Sequence, residues 1–219
     1  MWSYLISYIK GLCLGGAMCI TSYIMDYTVS YKSQQAILKE KTDSFAQAHQ
    51  YIVHNLIGIS PIAYLVVDKC FLSPNQSFSI FHYMCLLLTQ NLGYFFVHRE
   101  MHRNVSLYGY HKFHHTFDHI LAPSIGFAVS HVEFCVAYMA PFIIGAFIFR
   151  PSEASFLAAI CTVGVGNLLI HTYELKDVPW MPGLISPNKH ITHHEVRNKH
   201  YAAPIFDFDA ALDYVMVDL

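Results

Sequence analysis

The stretch from residue 78 to residue 115 reads FSIFHYMCLLLTQNLGYFFVHREMHRNVSLYGYHKFHH. Its first part, residues 78–97, is a mostly apolar run of the length that a helix needs to cross a bilayer, roughly 20 residues. Its second part carries five histidines, in an HxxxH run (98–102) and an HxxHH run (111–115). The stretch therefore predicts a membrane-spanning helix that leads into a histidine-rich segment just outside the hydrocarbon.

The composition of the whole chain also indicates a membrane protein. The 219 residues are 54% hydrophobic and only 13% charged, whereas soluble domains carry about 25% charged residues. The formal net charge of -2 provides no basic field for nucleic acid. We expect an integral membrane protein with no nucleic-acid partner.

Five stretches approach the length and apolarity of a membrane span: 5–25, 50–67, 78–97, 127–149 and 155–171. The first lacks a basic leading region and a clear small-residue cleavage site, so we interpret it as an anchor and not as a cleaved signal. Pro141 and Gly145 predict a kink in the fourth. The expected fold is an all-α integral membrane protein with four to five transmembrane helices. We expect anchor helices in 1–79 and a catalytic region in 80–219.

The distribution of basic residues predicts how the spans are oriented. If all five cross the membrane, segments 26–49, 98–126 and 172–219 share one side. These segments hold ten lysines and arginines, and the opposite loops hold only Lys69 and Arg150. The positive-inside rule then places the shared side, with all the histidine runs, in the cytoplasm.

Histidine is the residue that carries the chemistry, with fifteen in the chain. Helical residues at i, i+3 and i+4 are neighbours on one face, so each HxxHH run is expected to present three ligands from that face. Imidazole suits iron, copper, zinc and nickel. One ion takes four to six ligands, so nine imidazoles imply two ions. The nine expected metal-ligating and catalytic residues are His98, His102, His111, His114, His115, His171, His190, His193 and His194.

The order of these runs resembles that of the fatty acid hydroxylase / sterol desaturase superfamily. That pattern is HxxxH, then HxxHH, then an isolated histidine, then HxxHH near the C-terminus. Residues 110–115 (YHKFHH) are similar to the family's second histidine box, and residues 185–194 (ISPNKHITHH) resemble its third. The resemblance extends over roughly residues 80–215.

The resemblance implies a helical membrane domain capped by a cytoplasmic di-iron site in the endoplasmic reticulum. It implies that O2 and two electrons are used to hydroxylate or desaturate a lipid. The electrons commonly come from NAD(P)H through cytochrome b5 and its reductase. Zinc can replace iron in a preparation. Carried over box by box, the same nine histidines become the ligands.

Some positions near the boxes depart from the family pattern or allow two interpretations. Members of the family often have His-Pro where this chain has His131-Val132. We favour His131 as supporting a ligand or facing the substrate, and the alternative is that it is itself a ligand. Asn167 is either a tenth ligand or an amide that packs a helix. Glu174 either orients His171 or is solvated. Phe208-Asp209 and Leu212-Asp213 are the nearest counterparts of the family's C-terminal Trp-Asp.

The substrate is the least defined part of this prediction. Aromatic residues make up 15% of the chain, which favours a flat sterol but is equally explained by core packing and interface belts. The alternative within the superfamily is a fatty-acyl or sphingolipid hydroxylase. The alternative from another class is a non-redox metal-binding protein or transporter, which predicts ionisable residues deep inside several spans.

Overall fold

The computed structural model describes residues 2–216, with side chains to residue 212; residues 217–219 of the predicted catalytic region lie outside it. The described part is helical, and its one β-type pairing is an isolated antiparallel bridge between Leu184 and Phe206. Its α-helices are α1 (Trp2–Thr28), α2 (Tyr31–Glu40), α3 (Thr42–Cys70), α4 (Ile80–Arg103), α5 (Val105–His111), α6 (His131–Phe149), α7 (Glu153–Ile170), α8 (Pro187–Val196) and α9 (Phe208–Met216).

Five of these helices, α1, α3, α4, α6 and α7, are long and apolar enough to cross a membrane. They confirm the prediction of an all-α integral membrane protein. Two of them extend well beyond the predicted spans, because α3 begins at Thr42 and α4 continues to Arg103. Hydropathy marks only the part of a helix that suits hydrocarbon, whereas these helices continue as polar segments. The extension of α4 carries the first histidine run.

The segments that were predicted to share one side lie at the same end of the bundle. The Asp26 carboxylate at the end of α1 accepts a hydrogen bond from the backbone amide of Ser124, at 2.9 Å. The loops α3–α4 and α6–α7 meet at the opposite end, where the Ser73 amide donates to the Pro151 carbonyl at 2.9 Å. The compartment that each end faces stays a prediction.

Helix α1 packs closely on α3 through two glycines spaced as GxxxG. A Cβ atom on Gly15 would lie 1.8 Å from the Leu56 carbonyl oxygen, and one on Gly11 would lie 2.8 Å from the Pro61 Cα. Small residues allow such close approach of helix backbones in a membrane. The first span is therefore an integral part of the bundle.

Two spans contain a π-helical turn shortly before a proline. These turns are His54–Ile59 in α3, before Pro61, and Phe134–Met139 in α6, before Pro141. Proline lacks the N–H that an α-helix requires at that position, and a π-turn is one way in which a helix accommodates the interruption. Where the sequence predicts a kink near Pro141, the structure therefore has a widened π-helical turn within a continuous helix.

Candidate metal centre

All nine predicted histidines meet at one end of the bundle, in two groups. Within each group the candidate ligand nitrogens all lie within 4.8 Å of one another. The five-histidine group consists of His98, His102, His111, His115 and His193, and the four-histidine group of His114, His171, His190 and His194. All are buried except His102, which is partly exposed.

The third histidine run lies on α8, as predicted, but it serves both groups. His190 and His194 belong to the four-histidine group, whereas His193 belongs to the five-histidine group. Successive residues on an α-helix point about 100° apart, so the adjacent pair His193-His194 diverges. The three ligands of this run are therefore divided between two groups, which the sequence analysis did not predict. Residues at i and i+4 share a group, and the residue at i+3 joins the other.

The second run divides in the same way but does not lie on one helix. Helix α5 ends at His111, and a 3-10 turn from His114 to Thr116 follows. His111 and His115 point into the five-histidine group, and His114 points into the four-histidine group. The helix break corrects the prediction of a continuous helix through this run.

The rings of the five-histidine group form a square pyramid with His102 at the apex. The ring of His102 lies 4.6–5.0 Å, centroid to centroid, from each of the other four rings. Those four follow one another around a closed square, with centroid separations of 4.6 Å for His98–His111, 4.6 Å for His111–His115, 4.8 Å for His115–His193 and 4.6 Å for His193–His98. Among the described residues, no histidine lies opposite His102.

The nitrogen separations in this group suit an octahedral ion. The Nε2 atoms are separated by 3.0 Å in His98–His111, 2.9 Å in His111–His115, 3.1 Å in His102–His115 and 3.1 Å in His98–His193. Two nitrogens bound at roughly 2.0–2.1 Å and at right angles are about 2.8–3.0 Å apart, whereas a tetrahedral pair is about 3.3–3.4 Å apart. The group therefore fits five positions of an octahedron.

The four-histidine group shows similar convergence with fewer ligands. The Nε2 atom of His171 lies 3.2 Å from that of His114 and 3.0 Å from that of His190. The ring of His194 lies 4.6 Å from the ring of His114, centroid to centroid. Four imidazoles leave more of an ion's coordination positions free for water or a small reactant.

Backbone carbonyls define the tautomers of several ligands. The Nδ1–H groups donate from His98 to Tyr201 at 2.8 Å, from His193 to Lys199 at 2.8 Å, from His194 to Phe117 at 2.9 Å and from His171 to Asn167 at 2.7 Å. Each such bond leaves the Nε2 atom with a free lone pair. Lone pairs that converge at about 3 Å repel each other unless a cation lies between them. The residues therefore fit a metal at each group.

One ligand is oriented by a carboxylate. The Nδ1–H of His111 donates to Glu133 Oε1 at 2.7 Å, and both side chains are at least 99% buried. Glu133 lies at the start of α6, where Ser130 Oγ accepts from its backbone amide. Sequence analysis missed this role. The Ser130-His-Val-Glu133 spacing is that of a helix capping box, which predicts the start of a helix here but not the contact between Glu133 and His111. A carboxylate makes imidazole a stronger ligand and offsets part of an ion's charge.

The electrostatic environment keeps the ligands neutral. Burial lowers the pKa of His171 to about 4. Burial, followed by the neighbouring imidazoles, lowers the pKa values of a further six ligands well below 6.5: His111, His114, His115, His190, His193 and His194. Neutral imidazole is the form that binds metal.

Other predicted residues have structural roles next to the groups. Asn167 Nδ2 donates to the Gly126 carbonyl at 2.7 Å, which matches the alternative of a helix-packing amide. Its role as a tenth ligand stays a prediction. Glu174 accepts hydrogen bonds from Ser30 and Ser33 at 2.5 and 2.6 Å. The predicted contact between Glu174 and His171 is therefore wrong, because both His171 nitrogens have other partners. The solvated alternative agrees with the exposure of Glu174.

Two further residues lie outside both groups. His131 Nδ1 lies 2.9 Å from Asn55 Oδ1, so His131 supports the junction of α3 and α6. Asp209 Oδ2 accepts from the Ala202 amide at 2.6 Å, next to the Tyr201 carbonyl that orients His98. Asp213 lies beyond the described side chains.

Comparison with known proteins agrees with this geometry. The family model described as fatty acid hydroxylase matches residues 83–215, a range that contains all nine histidines. No curated protein and no solved structure matches the chain. The match, the apolar helices and the histidine groups together indicate a membrane-embedded di-iron hydroxylase or desaturase. Because the matched range covers more than half of the sequence, the chain belongs to the fatty acid hydroxylase family, within the fatty acid hydroxylase/sterol desaturase superfamily.

Proposed function

We propose that the protein hydroxylates or desaturates a C–H bond of a lipid, using O2 and two electrons. The observation that carries this proposal is the convergence of nine neutral imidazoles in two adjacent groups, with octahedral spacing in the larger one. Imidazole ligands with octahedral spacing suit iron, whereas structural zinc sites are tetrahedral. Two irons held here would supply the oxidising chemistry.

The protein's own groups position and isolate that chemistry. The five-histidine group would hold one ion and the four-histidine group the other. Glu133 and the carbonyls of Lys199 and Tyr201 orient His111, His193 and His98 respectively. Burial of these groups excludes bulk water from the reacting centre.

An apolar cavity among the spans supports a lipid substrate. It has a volume of about 80 Å³ and is lined by residues of all five spans and by Phe127. One wall is Tyr138, whose ring lies 5.2 Å from that of Tyr94, and Tyr94 in turn lies 5.1 Å from the ring of His98. Two aromatic rings, those of Tyr138 and Tyr94, thus separate the cavity from His98 of the five-histidine group.

The size of this cavity favours a chain over a ring system. Its volume of about 80 Å³ is well below the roughly 300–1,000 Å³ of pockets that enclose a whole drug-sized ligand. That suits the end of an acyl or alkyl chain and is small for the fused rings of a sterol. We therefore favour an acyl lipid over the sterol that the aromatic content favoured.

The electron donor and location are part of the same proposal. We propose that electrons arrive from NAD(P)H through cytochrome b5 or a similar protein, in the endoplasmic reticulum, with the histidine groups facing the cytoplasm. Arg99, Arg103 and Arg197 near the histidine runs provide positive charge for an acidic donor. A transporter is less favoured, because both histidine groups found among the described residues lie at one end of the spans.

The test combines metal analysis with product analysis. Iron, zinc, copper and manganese are counted in the protein purified in detergent, and lipid products are identified after incubation with O2 and a reductant. We expect about two irons per chain and an oxidised acyl lipid. The His193→Ala variant should lose metal and turnover.

The matched control is His119→Ala, because His119 is exposed and lies outside both groups. It should keep both metal and turnover. An active His193→Ala enzyme, or folded wild-type protein that binds no metal after iron reconstitution, would contradict the proposal.

A further inference from the structure

A buried amide in the cavity among the spans has no hydrogen-bond partner. Gln90 lies on α4, within the membrane span, and its side chain is fully buried. It lines the apolar cavity, and neither its Nε2 nor its Oε1 atom is hydrogen-bonded to any described residue. Buried amides are nearly always hydrogen-bonded, because an unpaired amide in an apolar environment costs free energy.

Asn91, the next residue along the chain, is a buried amide with a structural role. Asn91 is equally buried, and its Nδ2 donates to the Leu87 carbonyl at 2.8 Å. Its Oδ1 accepts from the backbone amides of Ile205 and Phe206, at 2.9 and 3.3 Å. The hydrogen bonds of Asn91 thus connect the C-terminal segment to α4, whereas the Gln90 side chain makes no hydrogen bond to any described residue.

The other polar side chains that line the cavity already use their hydroxyl protons. Tyr138 donates to the Gly126 carbonyl at 3.0 Å, Tyr64 to Glu153 at 2.5 Å and Ser60 to the Asn55 carbonyl at 3.1 Å. Gln90 is therefore the one described residue of the lining with both a free donor and a free acceptor. A hydroxyl group, which also donates and accepts, is the complement of such an amide.

We propose that Gln90 hydrogen-bonds a hydroxyl group carried on the hydrocarbon tail of the lipid substrate, and so selects hydroxylated lipids over plain ones. The inference rests on the proposed function in that the cavity is taken to receive the substrate's tail. Gln90 is a specificity-determining residue here, since its cavity lies two aromatic rings, Tyr138 and Tyr94, from His98 of the five-histidine group. A site built to bind a hydroxyl discriminates against the analogue that lacks it, because its polar groups are then left unpaired.

The experiment measures binding, with a matched variant. Radiolabelled hexadecanoic acid and a panel of its derivatives, each with one hydroxyl on one of the last eight carbons, are bound to the metal-loaded protein in detergent. We expect the wild type to bind at least one hydroxylated member about tenfold more tightly than the plain acid. Gln90→Met, which has similar volume but no hydrogen-bond donor and only a weak thioether acceptor, should lose that preference. Thr89→Val should keep it, because Thr89 bonds its own helix and does not line the cavity.

A second readout separates recognition from a structural role. Removing an unpaired buried amide should raise the thermal midpoint of the metal-loaded, lipid-free protein, whereas removing a structural amide should lower it. Equal binding of plain and hydroxylated acids by the wild type, no binding of either, or the same preference in Gln90→Met would overturn the inference.

The outcome can be separated from that of the proposed function. If the wild type holds two irons and oxidises a plain lipid but shows no preference that depends on Gln90, only this inference is contradicted. If the wild type shows the preference but yields no oxidised product, the proposed reaction is contradicted and the lipid-binding site is retained.

Discussion

At the scale of single residues, the contact between Glu133 and His111 supplies a test of the five-histidine group. Replacing Glu133 with Gln keeps the shape but exchanges a charged acceptor for a weaker neutral one. We expect metal affinity at that group to fall by about 10–100-fold. The measurement is iron retained per chain during dialysis against graded chelator concentrations.

The control for this prediction is Glu100→Gln, at an exposed residue that lies near Arg103 and outside both histidine groups. It should retain iron like the wild type. If Glu133→Gln retained iron equally well, the carboxylate would have no part in holding the ligand.

At the scale of elements, the loop before α6 must approach α7 closely for the four-histidine group to form. A Cβ atom on Gly126 would lie 2.7 Å from Asn167 Nδ2 and 2.9 Å from His171 Nδ1. The Gly126→Ala change should therefore displace His171 and lower the metal content by about one ion per chain, with the five-histidine group still loaded. Metal content of the purified variant is the measurement.

Gly109→Ala is the matched control for that change, because a Cβ atom on Gly109 would meet no described atom within 4 Å. It should keep both ions. Loss of both ions in Gly126→Ala would show that the two groups do not form independently, contrary to this expectation.

The packing of α1 on α3 gives a second prediction at this scale. Because a Cβ atom on Gly15 would clash with the Leu56 backbone, Gly15→Ala should lower the free energy of unfolding by about 1–3 kcal/mol. Gly16→Ala adds the same methyl group where no described atom lies within 4 Å. A thermal midpoint in detergent that fell equally in both variants would argue against this close contact.

The helices and the histidine groups also show which features of the protein could be predicted from the sequence alone. The spans and the nine histidines were predictable, because a bilayer imposes length and apolarity and because clustered imidazoles are rare outside metal sites. The division of the ligands between two groups was not predicted, although the 100° step between His193 and His194 follows from helix geometry. The carbonyls of Lys199 and Tyr201 were beyond prediction, because backbone groups are present at every residue and leave no sequence signal.

At the scale of the whole molecule, the bundle has two distinct ends. All nine histidines lie at the end where the segments with ten lysines and arginines meet. The opposite loops carry only Lys69 and Arg150. The positive-inside rule thus predicts a cytoplasmic active site, where a cytoplasmic electron donor can reach it.

Cysteine labelling tests this orientation directly, in a background with the six native cysteines replaced. Ser106→Cys lies at the histidine end and Ser77→Cys at the other, and both residues are exposed. In cells whose plasma membrane alone is permeabilised, a membrane-impermeant maleimide should label Ser106→Cys at once. It should label Ser77→Cys only after detergent opens the inner membranes. The reverse pattern, or glycosylation of the Asn104-Val-Ser106 sequon in the unmodified chain, would place the histidine groups in the lumen, away from any cytoplasmic electron donor.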